Sequence, residues 1–145
     1  MSKMIFVNLP VQDVARSIAF YEAIGCVHDT TICQGTNAAM MKWSGEISFM
    51  LLDPAFYATF TTKQIADAHV TSEVLLCLSQ PNRDAVDAIT EAAAKAGGKA
   101  DPRPAQDMGF MYGRSFEDPD GHTFEPMWMD VEAALKAMQP EAAAA

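Results

Sequence analysis

Ile5-Phe6-Val7-Asn8-Leu9-Pro10-Val11-Gln12-Asp13-Val14-Ala15-Arg16-Ser17-Ile18-Ala19-Phe20-Tyr21-Glu22-Ala23-Ile24-Gly25 reads as one structural unit. Its first part is β-branched and aromatic and predicts a strand over residues 5–11. Alternation sets Phe6, Asn8 and Pro10 on one face and Val7, Leu9 and Val11 on the other. Pro10 cannot donate to a ladder, which places it at a strand end or on an edge. Asp13 is the expected N-cap of a following helix, because its carboxylate can accept the orphan amides of the first turn. Val14, Ala15, Ile18, Tyr21 and Ile24 then recur at helical spacing, and Gly25 supplies the left-handed stop. The stretch therefore spells strand, loop, helix, stop.

Working outward, three short apolar runs at residues 30–32, 38–43 and 47–52 are separated by turn formers such as Gly35-Thr36-Asn37 and Ser44-Gly45-Glu46. They predict antiparallel strands joined by hairpins. A connector over residues 54–71 carries Phe56, Tyr57 and Phe60, which argues for a packed loop or short helix. The plan then repeats: a strand at 73–79, a helix at 82–96 ended by Gly97-Gly98, and strands at 99–100, 110–116 and 122–128, with Asp118-Pro119-Asp120-Gly121 as a hairpin turn. Like elements recur in like order, so an internal duplication is the economical reading. The expectation is one α+β domain, residues 1–130, made of two tandem βαβββ modules at about 4–53 and 72–129. A short helix is expected at 131–139, with a frayed tail at 141–145.

The composition narrows the function. The chain has 145 residues, half of them apolar, with ten Lys and Arg against 19 Asp and Glu and a net charge of −9. That charge repels phosphate backbones and anionic lipid, which argues against nucleic-acid and membrane-surface roles. No apolar run approaches the roughly 20 residues of a spanning helix, and the start of the chain has no signal-peptide pattern. Cys26, Cys33 and Cys77 are irregularly spaced, which suggests a reducing cytoplasm and neither a disulfide framework nor a zinc knot.

Two strings resemble the vicinal oxygen chelate superfamily, which includes glyoxalase I, bleomycin-resistance proteins and extradiol dioxygenases. Residues 11–25 are similar to its V-x-D-hydrophobic-x-x-S-x-x-F-Y-x-x-x-G. Phe116-Glu117-Asp118-Pro119-Asp120-Gly121-His122-Thr123-Phe124-Glu125 is similar to its F-x-D-P-D-G-x-x-x-E. Residues 102–130 further resemble a glyoxalase-like bacterial subgroup. The resemblance implies two modules curled into an eight-stranded half-barrel cup, in a homodimer. In metal-dependent members, four cup-facing positions carry His or Glu and leave sites open for two substrate oxygens. Carried over, these positions fall on Glu125, Glu73, Phe6 and Met50, so two carboxylates of four remain. Two alternatives follow: a divalent ion (Mg, Mn, Zn or Ni) held by Glu73 and Glu125, or no cofactor. Two carboxylates and waters suit Mg²⁺ or Mn²⁺, whereas the His-rich set expected for Zn²⁺ or Ni²⁺ is missing.

The residues themselves nominate a site. Glu73 and Glu125, if they share the cup floor, divide into one general acid and one general base; a solvent-exposed strand end is the alternative for Glu73. Asn8, an amide on an apolar strand face, either lines the cavity or bonds a neighbouring strand. Phe6, Met50, Tyr112, Met127 and Trp128 would give an adaptable apolar lining. Arg114 is a candidate for a forked pair with a substrate carboxylate, while Arg103 reads as a surface salt bridge and His122 as a hairpin flank. Two functions fit: a glyoxalase- or dioxygenase-like lyase acting on a small molecule, or a metal-free protein that sequesters one, as bleomycin-resistance proteins do.

Overall fold

In the computed structural model, which describes residues 2–33 and 35–139, the opening stretch folds much as its alternation predicts. Strand β1 (Ile5–Pro10) turns Leu9 into the core and packs Val7 against it, leaving Phe6 and Asn8 exposed. Pro10 is the last residue of this edge strand. Helix α1 (Val14–Ala23) starts where the Asp13 carboxylate accepts the Arg16 amide at 3.1 Å, and it ends at Gly25 with φ +110°. Its buried side chains are Val14, Ser17, Phe20 and Tyr21. The buried stripe is thus shifted from the expected one: Ala15 is exposed, and the polar Ser17 is inside because a partner waits for it.

Strands β2 (Val27–Asp29), β3 (Ala38–Lys42) and β4 (Ile47–Leu52) complete a sheet in the order β1-β4-β3-β2, with β1 parallel to β4. The strand expected at 30–32 lies earlier in the chain. Asp29 ends it by accepting the Thr31 amide at 2.9 Å and the Thr31 hydroxyl at 2.6 Å, a side-chain turn that outcompetes the β propensity of Thr-Thr-Ile. These bonds and Lys42 hold the Asp29 carboxyl at about 2. The connector begins as the short helix α2 (Pro54–Tyr57), capped by Asp53, and one 3-10 turn, with the Phe56 and Phe60 rings 5.1 Å apart.

The second half is β5 (Leu75–Ser79), α3 (Arg83–Lys95), β6 (Lys99–Ala100), β7 (Gln106–Asp107), β8 (Met111–Gly113), β9 (Phe116–Glu117), β10 (Thr123–Met129) and α4 (Val131–Ala137). Here β5 runs parallel to β10, as β1 does to β4. The described residues hold ten strands where eight were expected. β7 is additional, and the single strand expected at 110–116 is divided into β8 and β9. The division has a cause in the facing strand. Register is continuous from Trp128↔Tyr112 to Phe124↔Phe116, and Arg114 N–H donates to Pro126 C=O at 3.1 Å. Pro126 has no N–H to return the bond, so the ladder lapses at that pair. The expected frayed tail at 141–145 lies outside the described residues.

The two halves share one core. Phe49 and Phe124 meet edge-to-face with ring centroids 5.4 Å apart, Tyr21 meets Phe124 at 5.9 Å, and Phe116 stacks on Phe124 at 5.3 Å. Burying each such ring contributes roughly 1.5–3 kcal/mol, enough to make the halves depend on each other. The result is a mixed α+β fold with a curled half-barrel sheet.

Candidate functional site

The two strings singled out in the sequence meet in space. Asp118 accepts the Tyr21 hydroxyl at 2.7 Å through one oxygen and the amides of Asp120 and His122, each at 2.9 Å, through the other. Asp120 in turn accepts the Gln12 amide at 3.0 Å and the Ser17 hydroxyl at 3.4 Å, and it pairs with Arg16 at 3.3 Å. His122 Nε2 lies 2.8 Å from Pro10 C=O; a carbonyl only accepts, so Nε2 carries the proton. The hairpin turn of the second half is therefore seated on the start of α1. Burial raises the Asp118 carboxyl above its usual range, with His122, Tyr21 and the two amides pulling the other way. Burial and Asp118 together hold the Tyr21 phenol well above its ordinary value. These motif residues join the halves.

The open face of the strands comes next. The parallel registers pair Asn8 with Met50 and Cys77 with Glu125. The two pairs occupy like places in the two halves, so the four equivalent positions carry an amide, a thioether, a thiol and a carboxylate. Of the expected set, Met50 and Glu125 belong to these register pairs, while Phe6 and Glu73 do not. Phe6 stands on the same face, 46% exposed. Glu73 precedes β5 and is exposed. It sits four positions before Cys77, the register partner of Glu125. Glu73 thus lies outside the stretch of β5 that is in register with β10. Glu125 instead accepts Arg103 Nη2 at 2.5 Å, and partial burial with the nearby Glu125 charge raises the Cys77 thiol.

This donor set does not fit the divalent centre that the resemblance implies. A protonated thiol, a thioether, an amide and a carboxylate already held by a guanidinium are poor partners for a hard dication. Among the described residues, no three His, Cys, Asp or Glu side chains gather closely enough to hold a metal ion.

Three expected lining residues lie on the other side of the sheet. Tyr112 and Trp128 are register partners and share the helix-facing parity of buried Phe124 and Phe116. The Tyr112 hydroxyl donates to Asp87 of α3 at 2.6 Å, and the Arg83 guanidinium covers both rings at 5.1 and 5.3 Å. Arg114 is saturated by Asp101, Asp87 and Glu91 and is 13% exposed, so it has no fork left for a substrate carboxylate. Met50 and Met127 remain on the open face by alternation.

A concave space forms beside β1. A cleft of about 420 Å³ lies against β1 and the start of β5, walled by the connector. Val7, Leu9, Ile65 and Leu76 give it an apolar base, and Asn8, Tyr57, Gln64 and His122 bring polar atoms to it. Lys63 and Glu73 add one charge of each sign, and neither belongs to an ion pair among the described residues. With Nε2 bonded to Pro10, the His122 ring has Nδ1 as its remaining polar atom. Asn8 and Glu73 are the expected site residues that line this cleft; Tyr57, Lys63, Gln64 and His122 were not among them.

A family model described as Glyoxalase/Bleomycin resistance protein/Dioxygenase superfamily matches residues 3–125. No curated protein matches the chain. Among solved structures, the chain is similar to a hypothetical protein from S. aureus, at 23% identity and TM-score 0.73, covering 88% of this chain and 94% of that one. It is also similar to a glyoxalase/bleomycin resistance protein/dioxygenase family enzyme from Burkholderia phytofirmans, at 18% identity and TM-score 0.71, covering 88% and 99%. A third similar structure is the antibiotic binding protein TnmS3 from a Streptomyces species, at 19% identity and TM-score 0.59, covering 90% and 98%.

Proposed function

Because the chain belongs to the Glyoxalase/Bleomycin resistance protein/Dioxygenase superfamily, we propose that it binds a small molecule in the connector-walled cleft, without the four-ligand metal centre of the family's metal-dependent members. The observation that carries this reading is the lining: convergent polar atoms over an apolar base in about 420 Å³, within the range typical of ligand pockets. Lys63 and Glu73 would orient a polar or zwitterionic ligand, and Nδ1 of His122 would accept a hydrogen bond from it. A same-fold neighbour described as an antibiotic binding protein supports small-molecule binding.

The test is a thermal-shift panel of small aromatic, ammonium and zwitterionic compounds on wild type and on Lys63→Ala, with recovery of each hit by mass spectrometry. A saturable rise in Tm with the hit recovered unchanged is the expected outcome. Lys63 is exposed, so its substitution should leave the basal Tm within about 1 °C and weaken the hit by about tenfold. Recovery of a converted product, or an affinity indifferent to Lys63, would overturn the reading. Metal analysis of protein purified without chelator should find well under one equivalent of Mg, Mn, Zn or Ni.

A further inference from the structure

Glu125 keeps its carboxylate on the open face of β10, and the Arg103 guanidinium donates to it. We propose that Arg103, braced by Glu125 on the open face of β10, is a recognition site for a small-molecule carboxylate, separate from the connector-walled cleft. The cleft lining contains neither Arg103 nor Glu125, so the two sites stand or fall separately.

The donors of the two neighbouring arginines make the contrast. Arg114 uses Nε, Nη1 and Nη2 on three carboxylates and is nearly covered. Arg103 uses Nη2 alone, on Glu125, and is 49% exposed while its partner is 19% exposed. Nη2 carries two hydrogens, so besides the one given to Glu125 a second remains next to Nε or Nη1, with the spacing that takes two oxygens of one carboxylate side by side. Glu125 orients the guanidinium through one bond and leaves the other donors without a partner among the described residues. A ligand with two adjacent oxygens would thus meet a fork where a metal-dependent relative presents an ion.

The backbone that delivers Arg103 is pre-set. Asp101 holds φ +53°, a left-handed conformation that side chains other than glycine, asparagine or aspartate rarely adopt. It is pinned there by two bonds from Arg114, at 3.1 and 2.7 Å, and by its own amide on Ser115 C=O at 2.8 Å. Pro102 and Pro104 flank Arg103; they fix their own φ and restrict the residue before each. An arginine on a stiff loop loses little freedom when it binds. Cys77, the register partner of Glu125, and Met127, two residues on, share the Glu125 face of the sheet and are neutral, soft side chains suited to the body of an aromatic or aliphatic acid.

Cys77 also supplies the readout. It is exposed and paired in register with Glu125, so a ligand on the fork should shield it. The full chain is alkylated with neutral iodoacetamide, with and without benzoate, and modification at Cys77 is followed by peptide mass spectrometry. Benzamide serves as the neutral twin. Benzoate should slow Cys77 alkylation saturably and benzamide should not. Arg103→Ala should weaken the protection by about tenfold or more, and Arg103→Lys should restore only part of it because an ammonium cannot fork. Circular dichroism and Tm on each variant confirm the fold, and the ligand responses of the connector-walled cleft should be unchanged in Arg103→Ala. Equal protection by benzoate and benzamide, no protection by either, or full protection in Arg103→Ala would each overturn the proposal.

Discussion

Asp118→Ala is expected to lower Tm by about 12 °C, the thermal equivalent of a loss of about 4 kcal/mol in a domain of this size. The size of the effect comes from what the carboxylate leaves behind. One phenol and two backbone amides donate to it within 2.7–2.9 Å, at a residue 2% exposed. An alanine orphans all three donors, and each buried orphan costs roughly 1–3 kcal/mol. Tyr21→Phe removes one donor and leaves the carboxylate its two amides, so it should cost about 1–2 kcal/mol. The double variant should lose less than the two changes summed, because they share one bond.

The same network sets a pH dependence whose sign differs from that of an ordinary salt-bridged carboxylate. Burial raises Asp118 above its usual 3.8, so the folded state keeps this proton to higher pH than the unfolded chain does. Its contribution is fully present below 3.8 and is lost as pH rises through the folded value. Asp118→Asn cannot ionise. The stability difference between the asparagine variant and wild type should therefore move in the variant's favour as pH climbs through that window, then level off. Asp29 and Asp107, held near 2 by their partners, act in the opposite sense, their contributions falling away as pH drops from about 4 toward 2. Urea midpoints of both proteins across the acid range, taken as a difference, cancel those two groups and isolate Asp118. A flat difference would mean that the carboxyl is not desolvated by the seat on α1.

The elements most legible in the sequence are those whose boundaries are chemical and local. Asp13 caps α1 through its own side chain, and Gly25 and Gly97 close α1 and α3 with φ +110° and +101°, so the expected cap and both stops agreed. β2 moved because a single aspartate folded the next residues into a turn. The break between β8 and β9 was not readable in its own strand, since its cause is the missing N–H of Pro126 across the ladder. The placement of Tyr112, Arg114 and Trp128 was within reach: alternation back from core-forming Phe116 and Phe124 puts all three on the helix side. Glu73 is different. Whether it faces Glu125 depends on the β5–β10 register, a tertiary fact that local sequence does not encode. The cleft was hidden for the same reason, because its wall exists only where the connector meets the hairpin turn.

That meeting point carries the last large effect. Gly121→Ala should cost about 3–4 kcal/mol and about 10 °C in Tm. Two terms add. Gly121 holds φ +89°, which an L side chain resists, by roughly 1–2 kcal/mol. A Cβ built there would also stand 2.6 Å from the His69 amide nitrogen and 2.8 Å from the Ala68 carbonyl carbon. These are backbone atoms with no rotamer to yield, so the connector itself must shift, at a typical overpacking cost of about 1–3 kcal/mol. Two other glycines separate the terms. Gly97→Ala meets the same left-handed backbone with nothing within 4 Å and should cost only about 1 kcal/mol. Gly45 is free of both constraints, and its substitution should be neutral or slightly stabilising. The connector lines the cleft from Thr61 to Ala68, so the shift forced by Gly121→Ala should also abolish the thermal-shift responses assigned to the cleft, whereas Gly97→Ala should keep them. Amide exchange at residues 61–74 should accelerate in Gly121→Ala alone. If Gly121→Ala costs no more than Gly97→Ala, the connector is laid loosely over the turn, and a cleft that depends on it as a wall cannot hold a ligand in a fixed pose.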